Sequence, residues 1–401
     1  MNYVRKIVQA GLAIGAALAL LTGFPSKATS ATPYTIPMIL SLTGTYGFMG
    51  AEENRFIQAL ETSVNKSGGI GGRPLHFAVE DDQSSPQVAV QLANAIIASK
   101  SPVFVGPTIA ADCDAVEPLL HNGPVMYCFS PSFHPAAGTY SFSAGTSTEA
   151  NIAAMVRYFR GRGVRKLALL TSLDASGQDG DRWFKHAMSL PENKDLQVVA
   201  TDHFAPTDIS LSAQLSHIKQ SGAEAMLAWT PGTAFINVIH AYTDAGLDIP
   251  VGTSTANMNY KEMEQLAEYN NRNLYFTGFR YFEMKTLRKG PLKDRVDTFY
   301  QSIAPIGLKA DAMAGTCWDG ALIVASALRQ LGPDATASAI RDYIIGLHSF
   351  VGINGVYDFS DGSQRGIGTA AATIMHWEPK SNVWIPSSRA GGEPIARTAR
   401  T

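Results

Sequence analysis

Short apolar runs alternate with longer stretches of helical periodicity along most of the chain. Tyr34 to Leu40 reads as a strand, Glu52 to Asn65 as a helix, and Gly68-Gly69-Ile70-Gly71-Gly72 as the turn that stops it. Leu75 to Glu80 predicts the next strand, and Ser84 to Ala98 a helix carrying Val88, Leu92, Ala95 and Ile96 at helical spacing. Val103 to Val105 predicts a strand that ends at Gly106-Pro107, Asp112 to Leu120 a helix, and Val125 to Phe129 a strand. Strands that alternate with helices in this order predict a parallel sheet covered on both faces.

After residue 145 the pattern restarts. Helices are predicted over Ala150–Arg160, Gly180–Met188, Leu211–Gln220 and Ala234–Ala245, and strands over Leu167–Thr171, Leu196–Ala200, Ala225–Trp229 and Val251–Thr253. This is a second open α/β unit. Arg295 to Leu331 returns to helices, among them Ala312 to Leu328, and the chain ends in Val356-Tyr357-Asp358-Phe359 and a strand over Thr369 to Trp377. Helices that follow a completed second unit pack most economically on the first, which makes several crossings between the two.

The chain of 401 residues, 45% hydrophobic and 16% charged, is long enough for two cores and excludes a disordered or collagen-like chain. At the N-terminus, Arg5 and Lys6 precede an apolar run from Ala10 to Leu21, then Gly23, Pro25 and small residues at 28–31, the pattern of an export signal. The alternative is a membrane anchor, but twelve residues at a rise of about 1.5 Å make roughly 18 Å, short of a hydrocarbon core of about 30 Å. Without residues 1–30 the chain has 29 basic against 34 acidic side chains, a net charge of about −5, which excludes a general electrostatic grip on nucleic acid. Cys113, Cys128 and Cys317 are too few for a disulfide scaffold and lack zinc-site spacing. They form either one bridge, with Cys113 and Cys128 the favoured pair in an oxidising compartment, or three buried thiols.

In open α/β sheets ligands bind beyond the carboxyl ends of the strands, and the sequence places hydroxyl-rich loops there: 43–48, 108–112, 130–132, 171–176 and 254–257. Any one of these serines or threonines is explained as an ordinary helix cap, but five such loops in two units point to a site. Tyr46, Phe48, Phe129, Phe133 and Trp229 lie near this edge. Phe129 and Trp229 end apolar strands and are expected in the core, whereas Tyr46 and Phe48, in a glycine-flanked loop, are expected to stack on a flat apolar ligand.

Enzyme readings are weaker. Gly252-Thr253-Ser254-Thr255-Ala256 only partly matches a nucleophile elbow, with His348 or His376 as the partner it would need. A calcium loop over 174–185 has Asp179 where glycine is required and Lys185 where the bidentate glutamate belongs. The glycine run lacks a Walker lysine and dinucleotide spacing. No catalytic residue, metal or cofactor is expected.

Leu42-Thr43-Gly44-Thr45-Tyr46-Gly47, Asn65-Lys66-Ser67-Gly68-Gly69-Ile70-Gly71-Gly72, Glu80-Asp81-Asp82, Gly106-Pro107, Ser130-Pro131-Ser132 and Gly355-Val356-Tyr357-Asp358-Phe359 together resemble the type I solute-binding proteins of ATP-driven (ABC) importers, in the leucine/isoleucine/valine-binding branch. The resemblance covers nearly the whole chain after residue 30. It implies two open parallel-sheet α/β lobes joined by a three-strand hinge, with a small molecule trapped between them. The expected division is a signal peptide over 1–30, a first lobe of 34–145 and 280–350, a second of 146–279 and 351–385, and a tail of 386–401. A monomeric periplasmic receptor that hands its ligand to an ABC permease is implied. A sensory binding protein of the same fold is the alternative, and a neighbouring permease gene would discriminate.

Carried over residue by residue, the family's carboxylate-gripping serine falls on Ala110, so that hydroxyl is lost. Ser130 and Ser132 fall where the carboxylate is held, and Thr108 is close enough to substitute. The acid and tyrosine that usually hold an α-ammonium fall near Ser254 and Ser176, neither of which is charged. A buried ammonium without a carboxylate costs several kcal/mol, so the expected ligand is a small carboxylate without an amine, aromatic or otherwise, rather than an amino acid. Asp174 or Asp179 would restore the charge if the loop bends inward. The expected ligand-binding set is Tyr46, Phe48, Thr108, Ala110, Ser130, Ser132, Ser176, Thr230 and Ser254.

Overall fold

The computed structural model describes residues 32–395; the export segment expected over 1–30 lies outside them. In chain order the first lobe's sheet is built from β1 (Tyr34–Leu40), α1 (Gly47–Lys66), β2 (Leu75–Asp81), α2 (Pro86–Ala98), β3 (Val103–Val105), α3 (Ala110–Val116), β4 (Val125–Cys128) and β5 (Ser141–Ser143). Its five strands run parallel in the order β2-β1-β3-β4-β5. Every strand of β1 to β5 except β2 has a largely buried face pattern, as a sheet covered on both sides requires.

The second lobe follows with α4 (Thr148–Gly161), β6 (Lys166–Ser172), α5 (Ala175–Ser189), β7 (Gln197–Phe204), α6 (Ser212–Gln220), β8 (Ala225–Trp229), α7 (Thr233–Asp244), β9 (Val251–Thr253), α8 (Tyr260–Gln265) and β10 (Leu274–Gly278). Then come α9 (Pro291–Ile303), α10 (Ala312–Leu331), α11 (Ala337–Ile345), the hairpin β11 (His348–Val351) and β12 (Val356–Asp358), and finally β13 (Thr373–Glu378) and β14 (Val383–Pro386). The second sheet has the order β14-β13-β10-β9-β8-β6-β7. It is parallel from β10 to β7, and β13 and β14 join it antiparallel at one edge. Helices α9 and α10 pack on α1, and α11 packs on β4. The chain therefore passes between the two sheets three times, after β5, after β10 and after β12.

The β11–β12 hairpin, from which the third passage leaves, is pinned from inside. Asp319, fully buried in α10, accepts the backbone N–H of Ile353 (2.7 Å) and Asn354 (2.9 Å) and the hydroxyl of Tyr357 (3.0 Å). Residues 387–395, expected as part of a tail, fold back on the second lobe: Ser388 bridges Pro394, and Arg157 of α4 donates to the Gly391 carbonyl (3.2 Å). Among the described residues no helix is long and apolar enough to cross a membrane.

Of the two cysteine alternatives, the bridge is the one formed. Cys113 of α3 and Cys128 at the end of β4 are joined by a disulfide, and Cys317 is a buried free thiol in α10. The bridge closes a loop with a sequence separation of 15 behind the strand end that leads into Phe129 and Ser130. A loop of that length constrains the unfolded chain by about 3 kcal/mol. The double variant Cys113→Ala/Cys128→Ala is expected to lose about that much stability in urea denaturation; an unchanged midpoint would show that the bridge contributes nothing.

Candidate functional site

The carboxyl ends of strands from both sheets converge on one cavity of about 40 Å³. From the first lobe, β3 leads into Thr108 and Ile109, and β4 into Phe129, Ser130, Pro131 and Ser132. From the second, β8 ends at Trp229 and continues into Thr230 and Pro231, while β9 leads into Ser254, Thr255 and Ala256. Ser176 in the first turn of α5, Thr148 and Asn151 of α4, Met49 of α1 and Thr316 of α10 complete the lining. The β3 turn needs glycine at its corner: Gly106 has φ +84°, and a Cβ there would lie 1.9 Å from the Ile39 carbonyl oxygen.

Nine of the lining side chains carry a hydroxyl and one an amide; none carries a charge. Several hydroxyls are already oriented. The Ser41 N–H donates to Thr108 Oγ1 (3.2 Å), the Thr108 hydroxyl reaches Glu53 Oε2 (2.7 Å), and Ser132 Oγ pairs with Thr148 Oγ1 (2.9 Å). The Ser132 N–H donates to Ser130 Oγ (3.3 Å). In the second lobe, buried Asn257 braces the loop after β8 by donating to the Thr230 carbonyl (2.8 Å) and accepting from the Gly232 N–H (3.2 Å). The Thr230 hydroxyl is buried at the lining with no hydrogen-bond partner among the described residues.

A cation stands behind this neutral wall. Arg365, on the third passage, donates to the carbonyls of Pro131 (3.0 Å), Phe133 (2.6 Å), Ala144 (3.1 Å) and Gly145 (3.1 Å). Burial lowers its guanidinium to about 10, which leaves it charged at neutral pH. Its charge lies one peptide group behind the Ser130-Pro131-Ser132 loop.

Six of the nine expected residues line the cavity: Thr108, Ser130, Ser132, Ser176, Thr230 and Ser254. Ala110 does not; it is buried as the first residue of α3, and Thr108 and Ile109 take the place at the lining. Tyr46 and Phe48 do not line it either. Their loop crosses to the second lobe instead, where the Tyr46 hydroxyl donates to Asp174 Oδ2 (3.0 Å) and Phe48 lies against Gly232, 3.4 Å from where a Cβ would stand. Conversely, Phe129 and Trp229, expected in the core, are buried and line the cavity, because a strand's last side chain at this edge reaches the cleft as well as the core.

Neither acid bends inward. Asp174 caps α5, accepting from the Gly177 N–H (2.8 Å), and Asp179 is held by His134 (2.8 Å) and Arg182. Neither histidine proposed for a triad reaches Ser254: His348 pairs with Asp358 on the β11–β12 hairpin (3.0 Å), and His376 contacts the Arg272 carbonyl (2.8 Å).

A family model described as periplasmic binding protein matches residues 33–382. The chain belongs to the periplasmic binding protein family. Its fold is the type 1 arrangement. It is similar to a periplasmic binding protein type 1 from Bordetella pertussis Tohama I (20% identity, TM-score 0.76, covering 90% of this chain and 100% of that one). An extracellular ligand-binding receptor from Rhodopseudomonas palustris is comparably similar (16% identity, TM-score 0.76, 89% and 99%). So is the branched-chain amino acid transporter substrate binding protein LivJ from Streptococcus pneumoniae, solved with isoleucine (18% identity, TM-score 0.72, 88% and 99%). No curated protein sequence matches this chain.

The Tyr46–Asp174 bond joins two strand-edge loops of opposite lobes over this binding protein's cavity. Burial, then the Asp174 charge, push the Tyr46 phenol above its usual range, so it remains a donor. Removing one hydrogen bond to a charged group costs about 1.5–3 kcal/mol. If the bond forms only when the lobes are together, Tyr46→Phe is expected to weaken ligand binding about 10- to 150-fold while leaving the ligand-free melting temperature nearly unchanged. Calorimetric titration checks the first and thermal unfolding the second.

Proposed function

We propose that this protein is an extracytoplasmic receptor of an ABC importer that binds a small carboxylate without an α-amine between its lobes and delivers it to a membrane permease. The observation that carries the ligand class is the uncharged cavity wall, rich in hydroxyls, with no acidic side chain to receive an ammonium. An amino acid would bring its ammonium into that wall unpaired, at a cost of several kcal/mol. A lone carboxylate fits better: hydroxyls and backbone N–H groups donate to it, and the buried Arg365 behind Pro131 adds a favourable field. Phe129 and Trp229, one from each lobe, supply apolar faces for the rest of the molecule. Isoleucine is bound by the similar LivJ protein, but the absence of a lining acid here argues for a different ligand. The export pattern at residues 1–30 supports a place outside the cytoplasm.

A thermal-shift panel of benzoate, 4-hydroxybenzoate, phenylacetate, 4-methyl-2-oxopentanoate, leucine and isoleucine tests this reading. A ligand at 100 times its dissociation constant stabilises the native state by about 2.7 kcal/mol, well within detection. At least one amine-free acid is expected to raise the melting temperature more than leucine does; shifts from the two amino acids alone would overturn the ligand class. With the best acid, Ser132→Ala is expected to weaken binding about 10- to 150-fold, the loss of one hydrogen bond to a charged group.

A further inference from the structure

Glu53 is a carboxyl that touches the cavity wall from behind. It lies on α1, one helical turn after the lining residue Met49, and is fully buried. Its Oε2 is 2.7 Å from Thr108 Oγ1 and its Oε1 is 3.0 Å from Thr316 Oγ1, and both threonines line the cavity. The titratable groups that face it are Asp82 after β2, Asp311 capping the start of α10, and Cys317 within α10. All three are acids.

The protons in this cluster can be counted. Each hydroxyl has one proton and two acceptor sites. With Glu53 ionised, Thr108 gives its proton to Oε2 and Thr316 gives its own to Oε1 or to the Met313 carbonyl (2.8 Å), and neither hydroxyl has a proton left for the cavity. With Glu53 neutral there are three protons. An acid proton on Oε2 donates to Thr108, which already accepts the Ser41 N–H, and frees the Thr108 proton to turn into the cavity. An acid proton on Oε1 donates instead to Thr316, which passes its own to Met313, and Thr108 stays on Oε2; an anion in the cavity selects the first arrangement.

From this geometry we infer that Glu53 is a specificity-determining residue: held neutral, it lets Thr108 donate to an anionic ligand, and ionised, it makes the same hydroxyl an acceptor backed by a negative charge. The inference rests on the carboxylate reading given above. It also gives binding a pH dependence with a definite sign. Burial is the main reason that the Glu53 carboxyl is pushed up to about 8, with the two threonine hydrogen bonds opposing and Asp82 and Asp311 reinforcing it. The neutral form is the binding form, so affinity is full below that value and falls as the pH rises through it.

The test uses the tightest carboxylate of the panel and its primary amide, titrated calorimetrically from pH 6 to 9 against the native chain and Glu53→Gln. The native chain is expected to bind the carboxylate about tenfold more weakly at pH 9 than at pH 7, with a flat profile for the amide. Glu53→Gln, whose amide donates to Thr108 at every pH, is expected to bind the carboxylate with a flat profile at the native low-pH affinity. Infrared difference spectra of the two ligand-free proteins at pH 7 give a second readout, because a neutral carboxyl band should be lost in Glu53→Gln even if that variant binds poorly. A flat carboxylate profile in the native chain, or no lost carboxyl band, overturns the role of Glu53 while leaving the ligand class standing. No carboxylate binding at any pH overturns the ligand reading and this inference together.

Discussion

Arg365 carries a full charge in the interior, and the partners its guanidinium hydrogen-bonds are backbone carbonyls rather than a carboxylate. Desolvating a guanidinium costs several kcal/mol, and here four backbone carbonyls offset that cost. Those carbonyls belong to two different segments: 131–133, which forms the cavity wall, and 144–145, where the chain first leaves the first lobe. The arginine itself is on the third passage between lobes. One side chain therefore fixes the 131–133 loop to two of the three connections, and Asp319 fixes to α10 the hairpin that precedes the third passage. Removing Arg365 would leave several buried carbonyls without donors, so the loop, the passages and the cavity stand or fall together.

The same arrangement sets the electrostatics of the cleft. Ionisable groups near the cavity are kept one layer back: Arg365 behind Pro131, Glu53 behind Thr108 and Thr316, and Asp174 and Asp179 engaged by Tyr46, His134 and Arg182. A ligand therefore meets dipoles rather than ions at its surface. Dipoles already pointed by the fold need little rearrangement on binding, whereas a long charged side chain on the wall would have to be ordered first. Discrimination then depends on which hydroxyls have a proton to give, and that is decided by the second layer.

Much of the fold was legible from periodicity alone. The strands at 34–40, 103–105, 225–229 and 251–253 have the predicted bounds, and the loops after the last three supply seven of the seventeen lining residues. Helix α1 begins at Gly47 rather than Glu52, because Gly47 and Gly50 read as turn residues. Gly50 is there for close approach: a Cβ would lie 2.1 Å from the Ser41 carbonyl oxygen. Strand β5, Ser141–Ser143, has no apolar run to announce it and is held by β4 and by Gln364, whose side chain donates to the Ser141 carbonyl (3.0 Å). Strand β10, Leu-Tyr-Phe-Thr-Gly over 274–278, did carry a signal, an apolar run after a polar turn at 270–273. Thr316 carried none, since its place at the cavity comes from α10 packing on α1.

The aromatic residues show why the site was harder to read than the fold. A residue that ends a buried strand in an open α/β sheet has two neighbours, the core beneath it and the crevice beyond it. Sequence gives the burial but not the direction, so Phe129 and Trp229 looked like packing while the glycine-flanked Tyr46 and Phe48 looked like ligand contacts. In the folded chain the exposed-looking pair spends its surface on the opposite lobe, and the buried-looking pair faces the cavity. Because Phe129 comes from the first lobe and Trp229 from the second, the apolar part of the cavity exists only where the lobes meet. The packing of one lobe on the other therefore sets the separation of the two rings.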